Sequence, residues 1–305
     1  MGMQVCYCYS GSKDYLKNMK ILVTGSTGFI GNYLVPRLLE SGNEVIATGV
    51  EDNNKIERTW INDVQYIKHN INDVIENYFE HFSKPDRLIH LAWAGLPNYN
   101  ELFHFEDNLF TSYKFIKNCV ISGIQDVTVI GTCFEYGLMN GLLSEDLNTD
   151  PSNPYALAKD TLRRFLTELN KHEPFNMKWI RLFYMYGEGQ SKNSVLEQLK
   201  VSLERGDEVF NMSGGEQLRD YLPVDKVAEY ISRIALTNDV SGIFNCCSGQ
   251  PISIRKLVEN YLKDNNKSIK LNLGYYPYPD FEPMAFWGDD SKLLKIVMRN
   301  GNDKM

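Results

Sequence analysis

Tyr155 and Lys159 stand four residues apart in "PYALAKDTLRRFLTELNKH" (154–172). On a helix that spacing puts both side chains on one face. An ammonium beside a phenol eases formation of the phenolate. The pair can therefore give a proton to, or take one from, an oxygen held next to it. Hydride transfer between a carbinol and a ketone needs such a partner. Thr132 closes the apolar run "DVTVIGT" (126–132), at the carboxyl end of an expected strand, where sites collect in open α/β sheets. Its hydroxyl can hydrogen-bond the same oxygen. Taken singly each feature is ordinary, since helix surfaces carry Tyr–Lys pairs at this spacing. Their order and separation are what make them a candidate constellation.

A second candidate lies upstream. Gly25, Gly28 and Gly31 form G-x-x-G-x-x-G in "KILVTGSTGFIGNYLVPRLLES" (20–41), after a short apolar run and before apolar residues at helical spacing. In a strand–turn–helix setting the first glycine permits the tight turn. The second lets the backbone approach a pyrophosphate, and the third lets helix and strand pack closely. The helix amino terminus then offers free N–H groups and partial positive charge to the phosphates. Such a fold often ends its second strand in Asp or Glu, which holds the adenosine ribose. Here that place falls on Gly49, with Glu51 and Asp52 just beyond and Lys55 and Arg58 close by. Glu51 is the candidate ribose acceptor, with solvated loop charge as the plain alternative. The choice between NAD and NADP stays open.

These groups need a frame, and the chain supplies one. Strand signals at 20–25, 44–50, 64–70, 86–93, 126–132 and 177–187 alternate with helical stretches at 31–41, 106–123 and 154–172. That alternation predicts an α/β fold, a doubly wound parallel sheet of Rossmann type, with 177–187 as its last core strand. Beyond it the texture changes, and the Tyr- and Pro-rich "GYYPYPDFEPMAFWG" (274–288) suggests a smaller α/β carboxyl-terminal substrate lobe. The expected division is a tail at 1–18, a dinucleotide domain at 19–180, and a lobe at 181–305 with some segments returning to the core. Tyr275, Tyr276 and Tyr278 are candidates for stacking on a base or for a hydrophobic rim.

Composition narrows the classes. The chain has 305 residues and a net charge of −7, against a sequence-independent hold on nucleic acid or on an anionic membrane surface. Its six cysteines form no C-x-x-C pair and suggest neither a metal site nor a disulfide framework. A reduced, cytoplasmic compartment is the expectation. No apolar run has the length of a membrane span. Residues 1–18 lack the pattern of a secretory signal, so the domain is expected to begin at Met19.

Together these motifs resemble the extended short-chain dehydrogenase/reductases, in the NAD-dependent epimerase/dehydratase group that acts on nucleotide sugars. The resemblance runs from about residue 20 to 295. It is carried by "TGSTGFIG" (24–31), "HLAWAG" (90–95), Asn108, "GTCFEYG" (131–137), "YALAK" (155–159), "RLFYMYG" (181–187), "LRDYLPVDKVA" (218–228) and "GIFNCCSG" (242–249). It implies Tyr155 as acid/base, Lys159 as the tuning and ribose-binding cation, and Thr132 as their assistant. For NAD or NADP it implies a lining of Gly25, Thr27, Gly28, Phe29, Ile30 and Gly31 in the turn. Glu51, Asn70, Ile71, Leu91, Ala92, Trp93 and Asn108 would complete it, with Tyr155 and Lys159. It also implies a homodimer that pairs the helices near 106–122 and 155–171 into a four-helix bundle. Cys133, Phe134, Tyr184 and Arg219 would meet the nucleotide sugar, with Arg219 on its diphosphate; a salt bridge to an acid such as Asp220 is the alternative for that arginine.

Departures from the group's pattern select among its reactions. Its 4,6-dehydratases carry an Asp–Glu pair right after the threonine; here those places are Cys133 and Phe134, and neither protonates a leaving hydroxyl. Glu135 is one residue further on, and a shift of one along an extended chain turns a side chain to the other face. Cys133 stands three residues before Tyr136, one place off the position of the group's proton-shuttling cysteine, so it reads as a small buried residue. The likeness is greatest to bacterial reductases that reduce the C4 ketone of a nucleotide 4-keto-6-deoxyhexose in deoxysugar synthesis for surface polysaccharide. A C4 epimerase or C4 dehydrogenase is the alternative. A dinucleotide-binding sensor or scaffold is the reading outside enzymes.

Overall fold

The computed structural model describes residues 18–278 and 282–299. All but the last residue of the expected tail, with Cys6 and Cys8, lies outside them. The frame is a seven-stranded parallel sheet. Its strands are β1 (Lys20–Thr24), β2 (Glu44–Gly49), β3 (Gln65–Lys68), β4 (Arg87–His90), β5 (Asp126–Thr132), β6 (Asn176–Leu182) and β7 (Gly242–Cys246). Their spatial order is β7-β6-β5-β4-β1-β2-β3. The chain thus builds outward from β1 in one direction and then in the other. The crevice between β1 and β4, where the direction switches, is where ligands of such sheets bind.

Strands buried on both faces read as continuous apolar runs, and "ILV" in β1 and "VTVI" in β5 do so, with every one of those side chains buried. One face is covered by α1 (Phe29–Glu40), α5 (Val224–Leu236) and α7 (Ser291–Arg299), and the other by α2 (Leu109–Ile121) and α3 (Pro154–His172). In α5 the residues Val224, Val227, Ala228, Ile231, Ile234 and Ala235 are buried, the i, i+3, i+4 stripe of a helix laid on a core. Each fully buried valine or isoleucine of this stripe is worth roughly 1.5–3 kcal/mol.

Two boundaries differ from expectation. The run 177–187 is not one strand: β6 ends at Leu182, and Tyr184–Tyr186 joins a separate three-stranded sheet with Leu218–Pro223 and Pro251–Ser253. The last core strand is instead β7, paired in parallel with β6. The chain leaves the core for the lobe at Phe183 and returns for α5 and β7. The lobe also contains α4 (Val195–Arg205) and α6 (Ile254–Asp264), which share a small apolar core with Phe210 and Met212. Asp220 is fully buried and accepts from Ser248, Gly249 and Gly288. It ties its own strand to the loop at 248–249 and to the strand Phe286–Gly288. No described helix is long and apolar enough to cross a membrane, and no group of three or more His, Cys, Asp or Glu among the described residues could hold a metal.

Candidate active site

A cavity of about 1090 Å³ runs along the carboxyl ends of β1, β2, β4, β5 and β6, from the glycine turn to the lobe. At its first end Gly25 has φ +67, and a side chain there would meet the Ala92 backbone at 2.8 Å. A Cβ on Gly31 would lie 2.3 Å from the Ser26 carbonyl, so this glycine lets α1 close on the turn. Gly28 is the N-cap of α1, with no side-chain cap and no acid in the first turn. The helix thus presents unpaired N–H groups, the arrangement that suits a phosphate. This cradle fits the pyrophosphate of a dinucleotide.

Gly49 now has a reason. The Glu51 side chain folds back over it, and a Cβ at 49 would come 3.0 Å from the Glu51 carboxylate. Thr27 donates its hydroxyl to that carboxylate at 2.8 Å, and the Tyr66 hydroxyl donates to the Glu51 carbonyl at 2.9 Å. Burial, with Glu51 and Asp52 nearby, pushes the Tyr66 phenol up to about 12, so it stays a donor. The acid comes from two residues beyond the strand, and glycine leaves it room. Lys55 and Lys68 both pair with Asp52, and Arg58 donates to the Thr27 carbonyl at 3.1 Å. Asn70, Ile71, Leu91, Ala92 and Asn108 line the same cavity, as do Thr27, Phe29 and Ile30.

At the cavity's centre Thr132, Tyr155 and Lys159 come together. Thr132 ends β5. Tyr155 lies in the first turn of α3, started by Asn153 accepting from the Ala156 N–H at 2.9 Å, with Pro154 behind it. The Tyr155 N–H donates to the Tyr99 carbonyl at 3.1 Å. Burial pushes the Tyr155 phenol up, as do Tyr99, Glu135 and Cys133, while a hydrogen bond with the Thr132 hydroxyl works the other way. Lys159 Nζ donates to the Ile130 carbonyl at 2.8 Å and lies 6.0 Å from the Tyr155 ring centroid. Burial pulls this ammonium down to about 7, and Glu135 opposes the fall. As it stands, the phenol keeps its proton and can only donate it, while burial works against the charge on Lys159.

Glu135 is turned away from the cavity and fully buried. It accepts from the Thr132 N–H at 2.9 Å, from the Trp179 indole at 2.9 Å and from Arg181 Nε at 2.8 Å. It pins the turn that carries Thr132 and has no access to substrate. Cys133, Phe134 and Tyr184 line the cavity on the far side. Phe134 packs edge-on against Tyr99 at 5.3 Å and against Tyr184 at 6.1 Å. Burial holds the Cys133 thiol well up, where it is neither acid nor base at neutral pH.

Arg219 lies behind the cavity wall, 5.8 Å from the ring of Tyr184, rather than in the lining. Nη2 donates to Glu282 at 2.8 Å and Nη1 to the Leu218 carbonyl at 2.9 Å, while the buried Nε has no partner among the described residues. The guanidinium packs on Phe286 with 4.7 Å to the ring centroid. Its ion-pair partner is Glu282, not Asp220, because strand alternation sends positions 219 and 220 to opposite faces. Tyr275 and Tyr276 are exposed, and Tyr278 donates to Glu216 at 3.2 Å; none lines the cavity.

Sequence reasoning missed Tyr99, whose ring stands 5.4 Å from Tyr155, and Tyr221 and Ser194–Leu196, which line the lobe end. Tyr99 sits in a loop with no periodicity to flag it. The Ser194 N-cap before α4 was readable as a helix start, but not its place against the cavity.

A model of the NAD dependent epimerase/dehydratase family matches residues 21–247. The chain is 29% identical over 272 residues to a dTDP-6-deoxy-L-talose 4-dehydrogenase (NAD(+)) of Aggregatibacter actinomycetemcomitans, covering 88% of this chain and 99% of that relative. It is 26% identical to a GDP-6-deoxy-D-talose 4-dehydrogenase of the same organism, covering 93% and 92%. Among solved structures, a UDP-N-acetylglucosamine 4-epimerase from Methanobrevibacter ruminantium superposes with a TM-score of 0.80 at 24% identity, covering 92% of each chain. A UDP-glucuronic acid 4-epimerase from Bacillus cereus, solved with UDP-glucuronic acid and NAD, superposes at 0.77 and 23% identity, covering 92% and 93%. These two likenesses concern the fold. With its doubly wound sheet, its uncapped glycine turn and the match to the family model over most of its length, the chain belongs to the NAD dependent epimerase/dehydratase family.

Proposed function

We propose that the protein reduces the C4 ketone of a nucleotide-linked 4-keto-6-deoxyhexose with NADH, or runs the same hydride transfer in reverse as a 4-dehydrogenase. The observation that carries this reading is the meeting of Thr132, Tyr155 and Lys159 midway along one cavity, between a phosphate cradle and an aromatic-walled lobe. A bound nicotinamide dinucleotide supplies or accepts the hydride. Thr132 orients the C4 oxygen by a hydrogen bond. Tyr155 gives its phenolic proton to that oxygen as negative charge develops there. Lys159 stabilises the resulting phenolate and is placed to hold a ribose hydroxyl.

Three features support the finer points. Of the three residues after Thr132, the only acid is Glu135, and it is locked in the core, which disfavours elimination of water. The wall of Phe134, Tyr99 and Tyr184 is aromatic, and its ring faces would suit the methyl C6 of a 6-deoxy sugar. The two 4-dehydrogenase relatives are named for 6-deoxytaloses. For the cofactor, the Glu51 carboxylate beyond the end of β2 would repel a 2′-phosphate and could accept from ribose hydroxyls, and Lys55 and Lys68 are already paired. This favours NAD, with Glu51 on the ribose hydroxyls.

The test follows nicotinamide absorbance with NADH and with NADPH against dTDP-, GDP-, UDP- and CDP-linked 4-keto-6-deoxyhexoses, and runs the reverse assay with the 6-deoxyhexose products and NAD. Substrate-dependent turnover that Tyr155→Phe abolishes is the expected result. Isomerisation at C4 without net cofactor turnover would replace this reading with an epimerase.

A further inference from the structure

Lys159 is 2% exposed, and no carboxylate among the described residues pairs with it. An ammonium stripped of water needs partners. Among the described residues its one hydrogen bond goes to the Ile130 carbonyl. Its other close contact is an aromatic face: Nζ lies 3.8 Å from the ring centroid of Trp93, well inside the range at which a desolvated cation is attracted to an indole. Trp93 is itself held. Its Nε1–H donates to His104 Nδ1 at 3.1 Å, and the two rings are near parallel at 17°. Because indole only donates, Nδ1 of His104 is the acceptor, so Nε2 carries the proton and donates to the Asn98 carbonyl at 2.9 Å. His104 opens a five-residue π-helical turn before α2, a distortion often found at functional sites. Trp93 also stands edge-on to Tyr155 at 6.0 Å, and His104 lies 5.3 Å from that ring.

We propose that Trp93 is a positioning residue for Lys159: its indole face, locked by His104, keeps the ammonium charged and aimed at Tyr155 before any cofactor arrives. The inference rests on the role assigned to Lys159, and its first readout uses neither cofactor nor sugar. Other groups face the same ammonium. Glu135 beneath Thr132 favours its charge. His90 on β4 is neutral, pulled down to about 3 by burial and by Lys159. Burial likewise pulls His104 down, Lys159 adding to that and the Asn98 carbonyl and Glu101 opposing it. No one of these supplies an opposite charge in contact, which leaves the Ile130 carbonyl and the indole face as the adjacent stabilisers.

The experiment titrates the fluorescence of the cofactor-free protein. Subtracting the Trp93→Phe spectrum isolates Trp93 from the three other tryptophans. Its emission is expected to change in one protonation step that Lys159→Met removes. A step that survives in Lys159→Met, or no step at all, overturns the proposal. The second readout is the pH profile of kcat/KM in the reducing direction, where Lys159 must be charged. In Trp93→Leu the basic limb is expected about one pH unit lower, an approximately tenfold loss at high pH that vanishes at low pH. Trp93→Phe, which keeps an aromatic face, should fall between. A uniform loss with an unmoved limb would make Trp93 a mere wall and sink the idea. Absence of turnover in the wild type would count against the proposed reaction, while the fluorescence step would still decide this one.

Discussion

Removing the buried charge under Thr132 tests how this site is held. In Glu135→Gln the shape is kept, but two carboxylate oxygens become one amide oxygen and an amide nitrogen. The wild-type oxygens accept from Thr132 N–H, Trp179 Nε1 and Arg181 Nε. The remaining oxygen can keep the first two, and Arg181 Nε then faces another donor. Arg181 is 1% exposed and stacks on Tyr136 at 4.4 Å from the ring centroid, so it cannot turn to water. Leaving one partner of a buried ion pair alone costs about 3–5 kcal/mol. At about 1.4 kcal/mol per decade that lowers the folding constant by two to four orders of magnitude. Equilibrium urea unfolding followed by circular dichroism reads the loss. Arg181→Met should cost somewhat less, because Arg163 Nε stays 3.9 Å from the carboxylate. The double variant should cost clearly less than the sum, because neither charge is then left without its partner. Additive costs, or a single-variant loss below about 1 kcal/mol, would refute the claim that this pair anchors the turn. Turnover per folded molecule should also drop in Glu135→Gln, because Thr132 loses its backbone anchor.

Three further outcomes are expected. Glu51→Ala should raise KM for NADH by about ten- to a hundredfold, the value of a hydrogen bond to a charged group, and should narrow or reverse the preference over NADPH in steady-state assays. Cys133→Ala should leave kcat essentially unchanged, because the thiol is held neutral by burial; a large loss would restore it as a proton shuttle. Phe110, Ile121, Leu157 and Phe165 are exposed on α2 and α3, the helices expected to pair across a dimer. Light scattering should therefore report a dimer that Phe110→Glu with Leu157→Glu converts to monomers.

Much of this was legible because it is local. The run "KILVTG", three glycines at fixed spacing and an apolar stripe specify β1, the turn and α1 with no help from the rest of the chain. Tyr155 and Lys159 share a helix face by arithmetic alone. What stayed hidden is what distant segments do to one another. Glu282 reaches Arg219 across 63 positions of sequence, and no spacing encodes that. Tyr99 enters the site from a loop whose path depends on the helices beside it. The seventh core strand was obscured by the excursion into the lobe that precedes it. Gly49 was a puzzle in the sequence and became intelligible only when the Glu51 side chain was seen folded over it.

The reversal of strand order at β1 and β4 has a consequence for the life of the molecule. The glycine turn and Glu51 belong to the half of the sheet that grows toward β3. Thr132, Tyr155 and Lys159 belong to the half that grows toward β7. A dinucleotide lying across the crevice touches both, and so acts as a removable cross-link between two halves that chain connectivity joins only through the segment from β3 to β4. At a hundred times its dissociation constant such a ligand adds about 2.7 kcal/mol to the native state. The protein's resistance to unfolding and proteolysis should therefore rise and fall with the supply of its own cofactor.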